Sequence, residues 1–488
     1  MKLVNFIFIL LLFNLSLTFS TPESDLVNDL PGLNFQPKFK HYSGFLKASE
    51  KRYFHYWYTE AQYKPETAPL LLWLTGGPGC SSIGALIEEL GPFHVSNFGQ
   101  TVYENPYSWN KIGNVLFLSS PAGVGYSFST NGNVTATDDQ VAQDNYNAII
   151  YFLTYKFPEL QGRDFYVTGE SYGGVYIPTL SSLLVDDKSG LFNFKGMAIG
   201  NGVLSFPQNY NTMVSLFYYR GFIRQQLFDK VTNECCGGNP YSCDYYSLLT
   251  KPGSECRMLI LLQLNAADGL NTYNSYYQCY TDSPTGLRQR FIQRQFLKMI
   301  GITDDEIKQT SASPSLPLCA QLNNTEIYMN REDVRKALNI PTALPYWTDC
   351  SDTVAGSYQI THYDMTPEFL KIIKAGKRVL VYNGDVDATC NVIMNEQFVN
   401  NLNLTVIGSD KYSSSKWYYA KDIPNIAGYL TQYQEGLDFV TVHGSGHFVP
   451  TDKPREALQM LYNFIYQKDY STAVPFSTDK EPTFEYDN

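Results

Sequence analysis

Short runs of consecutive apolar residues recur along the chain at Leu70–Leu74, Val115–Leu118, Phe165–Val167, Met197–Ile199, Val379–Tyr382 and Phe439–Val442. Continuous rather than alternating apolarity predicts strands buried on both faces, the pattern of a parallel sheet covered by helices. Between the second and third runs, Thr137-Asp138-Asp139-Gln140 has the form of a helix-capping box. Ala142, Tyr146, Ile149, Ile150 and Leu153 then share one helical face. Upstream, Tyr42–Ala48 and Tyr53–Glu60 read as two aromatic strands joined by a polar turn, an antiparallel hairpin leading into an α/β sheet. Residues 203–320 break this rhythm, and apolar strands resume at Val379, so the stretch reads as an insertion on the main domain. The expected organisation is a core over 21–202, an inserted cap over 203–320, the second part of the core over 321–470, and a polar, loose tail over 471–488. Within the insertion, Arg288, Arg290 and Arg294 read as a solvated helix face.

Residues 1–20 open with Lys2, run almost wholly apolar from Leu3 to Leu17 and end in Thr18-Phe19-Ser20, the layout of a cleaved secretory signal. Asn14 and Ser16 interrupt the run, which is short for a membrane span, so no anchor is expected after cleavage. Nine cysteines then enter an oxidising route. Cys235, Cys236, Cys243 and Cys256 crowd together, with Cys279 and Cys319 following; secretion favours bridges over zinc, and the odd count leaves one thiol. Sequons at Asn133, Asn323 and Asn403 are candidate glycan sites. Of the 488 residues, 44% are hydrophobic and 17% charged, a globular composition with enough apolar mass for a large core. The 36 basic and 47 acidic residues give −11, with the charges scattered, a surface that repels phosphate backbones; no nucleic-acid partner is expected. Metal-cluster pairs, phosphate loops and dinucleotide fingerprints are absent from the sequence, so no metal or cofactor is expected.

Directly after Phe165–Val167 comes Gly169-Glu170-Ser171-Tyr172-Gly173. A G-x-S-x-G between strand and helix is a nucleophile elbow, in which a strained turn lifts the serine out of the sheet. A serine hydroxyl is a poor nucleophile until a base takes its proton, and that base needs a carboxylate behind it. Past Phe439–Val442 lie His443 and His447; past Val379–Tyr382 lie Asp385 and Asp387. This supplies the chain order Ser…Asp…His, with three loops at the carboxyl ends of three proposed parallel strands, and spacing leaves the choice within each pair open. An oxyanion also needs preorganised donors. The N–H of Tyr172 is one candidate, and the loop Thr75-Gly76-Gly77-Pro78-Gly79 after Leu70–Leu74 is the place for the other.

Five blocks in order, Trp73–Ser82, Ser120–Tyr126, Gly169–Gly173, Asn383–Asp387 and Gly444–Lys453, together resemble the serine carboxypeptidase family, its animal lysosomal branch above all. The likeness covers about residues 26–466. It implies an α/β-hydrolase core with a largely parallel sheet and an inserted, disulfide-rich cap. It assigns Ser171 as nucleophile, His447 as base and Asp387 as orienting acid, with Gly77 and Tyr172 as oxyanion donors. It pairs Cys80 with Cys350, Cys235 with Cys256, Cys236 with Cys243 and Cys279 with Cys319, leaving Cys390 as a free thiol beside the active site. The implied activity is release of single C-terminal amino acids from peptides, in the lysosome or outside the cell.

To remove one C-terminal residue, a site must bind a free carboxylate close to the nucleophile. The resemblance places Thr75, Gly76, Glu170 and Glu89 there, with a protonated Glu170 donating to the substrate. Two neighbouring carboxyls raise one another's proton affinity, so peptidase action is expected to be strongest in acid, while ester or amide cleavage persists toward neutral pH. The family usually has Asn where this chain has Thr75, which offers one donor with shorter reach. An acyltransferase on the same fold, and a protective or binding role toward other lysosomal enzymes, are the competing readings; a homodimer is compatible with each.

Overall fold

The computed structural model describes residues 22–267, 270–277, 301–303, 324–408, 414–419 and 425–479. In chain order its strands are β1 (His41–Lys47), β2 (Arg52–Thr59), β3 (Leu70–Leu74), β4 (Phe93–Ser96), β5 (Thr101–Glu104), β6 (Asn114–Leu118), β7 (Phe128–Ser129), β8 (Asp164–Ser171), β9 (Asn193–Gly202), β10 (Arg378–Gly384), β11 (Ser415–Tyr419), β12 (Asn425–Gln432) and β13 (Leu437–Val442). The main sheet runs β1-β2-β6-β3-β8-β9-β10-β13-β12-β11, with β7 beside β2 and β4–β5 forming a separate hairpin. From β6 to β13 neighbours are parallel, and antiparallel pairs close both edges.

The continuous apolar runs are the parallel centre, and the reason lies in the packing. Leu70, Leu72 and Leu74 of β3 enter one buried cluster, and Leu71 and Trp73 enter the other. Val379 and Val381 of β10 divide from Leu380 and Tyr382 in the same way. Successive side chains point to opposite faces, so a strand covered on both sides must be apolar at every position. The helices Asp138–Tyr151, Gly173–Val185 and Thr366–Lys374 bury their apolar faces in the first cluster, and Ser82–Glu88 and Pro454–Ile465 in the second. Thr137 caps its helix, its hydroxyl accepting from Gln140 N at 3.2 Å.

Between β9 and β10 the chain leaves the sheet for the helices Phe206–Tyr219, Gln225–Cys235, Tyr245–Leu249 and Glu255–Leu264. Disulfides join Cys235 to Cys256 and Cys236 to Cys243 there, and Cys80 to Cys350 across the core. The stretch without strand–helix alternation is thus helical where described. Residues 1–21, Arg288, Arg290, Arg294, the Cys279–Cys319 pair and Asn323 lie outside the described residues. Asn133 and Asn403 are exposed. No helix among the described residues is long and apolar enough to cross a membrane. The tail, read as loose from residue 471, is instead bound back to the body over its first part. Asn463 donates to Thr472 O at 2.8 Å, Lys111 to Ser477 O at 2.9 Å, and Phe476 stacks on Tyr63 at 5.4 Å.

Candidate active site

The parallel strands end at one edge of the sheet, with Leu74 of β3 opposite Gly169 of β8, Glu170 of β8 opposite Gly200 of β9, and Gly384 of β10 opposite Val442 of β13. Residues just past these positions therefore converge. Ser171 sits at the last position of β8 with φ +59°, a left-handed conformation that costs a non-glycine residue of order 1–3 kcal/mol and is held only by its surroundings. Those surroundings are crowded. Ser171 O accepts from Val203 N at 2.9 Å, and the helix Gly173–Val185 starts at once. A Cβ at Gly169 would lie 2.0 Å from Leu74 O, and one at Gly76 would lie 2.3 Å from Tyr172 N. The G-x-S-x-G glycines and the Thr75–Gly79 loop thus let two backbones approach where side chains would separate them. Gly77 in that loop has φ +122°, open only to glycine.

Asp387 and His447 are both fully buried, with His447 Nδ1 2.7 Å from Asp387 Oδ2. The carboxylate accepts three further bonds, from Asn201 Nδ2 at 2.8 Å, Thr389 N at 2.8 Å and Cys390 N at 3.2 Å. These bonds satisfy the buried carboxyl group and fix the imidazole with Nδ1 toward the acid. His447 N donates to Tyr273 O at 2.6 Å, and the Tyr273 ring lies 4.4 Å from the imidazole. Among the described residues, His447 Nε2 is buried with no hydrogen-bond partner, and the buried Ser171 Oγ meets no nitrogen or oxygen partner, only the Cys390 thiol. A hydroxyl and an imidazole nitrogen in this condition are the kinds of group between which a proton passes when a serine acts as a nucleophile.

The second Asp–His pair of the sequence also forms. His443 Nδ1 lies 2.8 Å from Asp385 Oδ2, but the side chains are 66% and 28% exposed. Asp385 also accepts from Gly444 N at 2.7 Å, and Arg220 donates to its carbonyl and to that of Val386. This pair ties the two loops together from outside while Asp387 and His447 meet inside.

The Cys390 thiol is buried against the Ser171 hydroxyl, and burial first, then the charges of Asp387 and Glu170, push its pKa up well above the usual range. It is held as a thiol. Ligand atoms of Asp387, Cys390 and His447 lie within 4.8 Å of one another, the one such trio among the described residues, and its imidazole is already committed to its carboxylate. Glu170 and Glu89 are buried, and the charges of both add to the upward shift that burial imposes on the Tyr382 phenol. Thr75 is buried too, and its hydroxyl accepts from Trp73 Nε1 at 2.8 Å while its N–H donates to Ser82 Oγ at 3.1 Å. Asn201, Tyr273 and Tyr382 were not singled out from the sequence. Asn201 alone had a signal available, since it stands just past Met197–Ile199, at the same strand end as the other polar residues.

The profile of the family described as serine carboxypeptidase matches residues 31–467. This chain belongs to the serine carboxypeptidase family. It is 51% identical over 475 residues to serine carboxypeptidase ctsa-4.1 of Caenorhabditis elegans, covering 97% of this chain and all of the relative. To the lysosomal protective protein of Mus musculus it is 37% identical over 471 residues, covering 92% and 95%. Among solved structures it resembles KEX1(delta)p, a prohormone-processing carboxypeptidase from Saccharomyces cerevisiae, with a TM-score of 0.72, 21% identity and coverage of 92% and 96%. The fold is that of the α/β hydrolases, and the serine carboxypeptidase is a serine-type hydrolase acting on peptides.

Proposed function

We propose that the enzyme releases single C-terminal amino acids from peptides through an acyl-enzyme on Ser171, most actively in acid. The observation that carries this reading is the strained Ser171 at the same sheet edge as a buried Asp387–His447 pair whose His447 Nε2 has no partner among the described residues. Ser171 Oγ attacks the scissile carbonyl as His447 Nε2 takes its proton, and Asp387 holds the imidazolium. The N–H groups of Gly77 and Tyr172 receive the oxyanion, which the close approach of their loops supports. His447 then protonates the leaving amine, and water repeats the steps to free the acyl group.

For exopeptidase selectivity, the Thr75 hydroxyl and the Gly76 backbone take the substrate's terminal carboxylate, with Glu170 as a protonated donor and Glu89 as its neighbour. Because Trp73 donates to Thr75 Oγ1, the threonine's own hydrogen is free to point to a ligand. Two buried carboxyls near one phenol favour the protonated state of one of them. A substrate carboxylate then meets a donor in acid and a repelling charge when both acids ionise, whereas esters and amides lack that requirement. The name of the mouse relative supports a lysosomal or secretory destination. We assign residues 203–320 as the inserted cap, its described part being the helices Phe206–Tyr219, Gln225–Cys235, Tyr245–Leu249 and Glu255–Leu264.

The test is incubation of the purified enzyme with N-blocked dipeptides from acid to neutral pH. Release of one free C-terminal amino acid, lost in Ser171→Ala, is the expected result. No release at any pH, or release that survives Ser171→Ala, overturns the reading.

A further inference from the structure

Asp138 begins the helix Asp138–Tyr151 and is buried, yet among the described residues no lysine or arginine forms a hydrogen bond or ion pair with its carboxylate. Its two oxygens instead collect donors from two separate parts of the chain. Oδ1 accepts from Tyr172 Oη at 2.8 Å and Tyr358 Oη at 2.8 Å. Oδ2 accepts from Thr361 N at 2.6 Å, His362 N at 3.0 Å and Thr361 Oγ1 at 3.3 Å. A buried carboxylate with this many directed donors at a helix N-terminus is a fixed point, because leaving it under-bonded is costly.

One of those donors belongs to the residue directly after Ser171. Tyr172 is fully buried, its ring packs on Tyr176, Tyr358 and Phe206, and its phenol pKa is pushed well above the usual range by burial and then by Asp138. The phenol is therefore a permanent donor to Asp138, and the ring is a rigid lever whose other end is the peptide carrying the Tyr172 N–H. The segment on the far side of Asp138 is anchored as well, with Phe206 N donating to Tyr363 O at 2.9 Å and Met365 N to Leu204 O at 2.9 Å. The lever thus rests on the loop that follows β9.

We propose that Asp138 is a positioning residue for catalysis: by holding the Tyr172 phenol it sets the direction of the Tyr172 N–H at the oxyanion. This rests on the reading that Tyr172 N–H is an oxyanion donor, and it extends that reading to a residue with no contact to substrate. Loss of one such donor costs about 10²–10³ in rate, so a donor turned off line rather than removed costs roughly 10- to 100-fold in kcat with little change in KM.

The experiment compares Asp138→Asn, Tyr172→Phe and Tyr358→Phe. It reads kcat and KM on an N-blocked dipeptide, and the rate at which a fluorophosphonate labels Ser171, since phosphonylation develops negative charge at the same donors. Asp138→Asn and Tyr172→Phe are expected to lower both kcat and labelling rate about 10- to 100-fold with KM within about twofold. Tyr358→Phe removes a bond of equal length to the same oxygen while keeping the ring that packs on Tyr172 and the Tyr172 bond to Asp138, and is expected to keep both rates within about threefold. Should Asp138→Asn fail to fold, Tyr172→Phe carries the test, because it keeps the peptide and deletes only the hydroxyl. Full kcat and labelling in a folded Tyr172→Phe overturn the proposal, as does an equal loss in all three variants. A parent enzyme that neither turns over nor labels at Ser171 refutes the underlying reading instead, so the two failures are distinct.

Discussion

Asp385–His443 and Asp387–His447 are two acid–imidazole pairs of nearly equal length, two and four residues apart in the chain, and only their burial separates them. The outer pair is open to water, which weakens it, while the inner one is strengthened by exclusion of water and by the three further donors on Asp387. That is why motif spacing found both pairs and ranked neither: burial is set by what the rest of the chain lays over a residue. The Asn201 amide is the most exacting of the three donors, because it also accepts from Gly384 N at 2.9 Å and locks β9 to β10. Asn201→Asp, which keeps the shape and the tolerance of φ +39°, sets a second carboxylate against Asp387. We expect kcat to fall by at least about tenfold with KM little changed, and steady-state kinetics on a blocked dipeptide checks it. Thr75→Asn is expected to act oppositely, on KM alone, lowering it about three- to tenfold by adding a second donor of longer reach. An unchanged KM counts against a carboxylate role for this position.

At the scale of elements, legibility followed how each strand is covered. The six central strands are apolar at consecutive positions because both faces are buried, and a run of that kind is visible without knowing its neighbours. β11 and β12 gave no such signal. β12 alternates between buried and exposed positions irregularly and carries Asn425, Gly428 and Gln432, and a sequence like this forms a strand because β13 offers an unpaired edge. The insertion failed to show its helices for a related reason, since its packing is divided among several short helices rather than one long stripe. The elbow was legible because its constraint is local and steric. Gly76→Ala tests that constraint from the opposite loop: a methyl 2.3 Å from Tyr172 N must push the two backbones apart. Loss of turnover by about 100-fold or more is expected, with a fall in melting temperature of a few degrees, measured by kinetics and thermal denaturation on the same preparation. Cys80–Cys350 guards the same loop from behind. Ser81 N donates to Asp349 O at 2.7 Å and Ser351 N to Gly79 O at 2.8 Å on either side of the bridge, which spans 270 residues of chain.

For the whole molecule, acid is both the proposed working condition and a load on the fold, and the histidines decide how the load is shared. His41 and His55 lie in the first two strands, fully enclosed, and burial lowers the pKa of each from 6.5 to about 3. Their surroundings favour neutrality: His41 Nδ1 accepts from Trp57 Nε1 at 3.1 Å, which a protonated Nδ1 could not do. His55 Nε2 donates to Ser43 Oγ at 3.0 Å, whose own proton goes to Leu338 O, and a proton on the buried His55 Nδ1 would meet no acceptor among the described residues. Unfolded, both imidazoles take a proton below pH 6.5; folded, they refuse it down to about 3. Their contribution is therefore whole above pH 6.5 and is lost as pH falls toward 3, by up to about 1.4 kcal/mol per pH unit for each. His362 works in the other direction. Burial lowers its pKa, but the bond to Asp139 at 2.9 Å and the charges of Glu368, Asp139 and Asp138 outweigh that and leave it raised. Its contribution is present below pH 6.5 and lost as pH rises through the raised value. One partly exposed gain does not match two buried losses, so stability should climb from pH 4 to about 6.5 and flatten or decline beyond. The double variant His41→Asn, His55→Gln keeps the hydrogen-bond partners while removing both titrations. It is expected to melt lower than the parent at pH 7, where cavities and altered shape dominate, yet to lose less between pH 6 and pH 4. Thermal denaturation of both proteins across that range reads the two slopes, and parallel slopes would mean that other groups, the carboxylates first, carry the acid sensitivity.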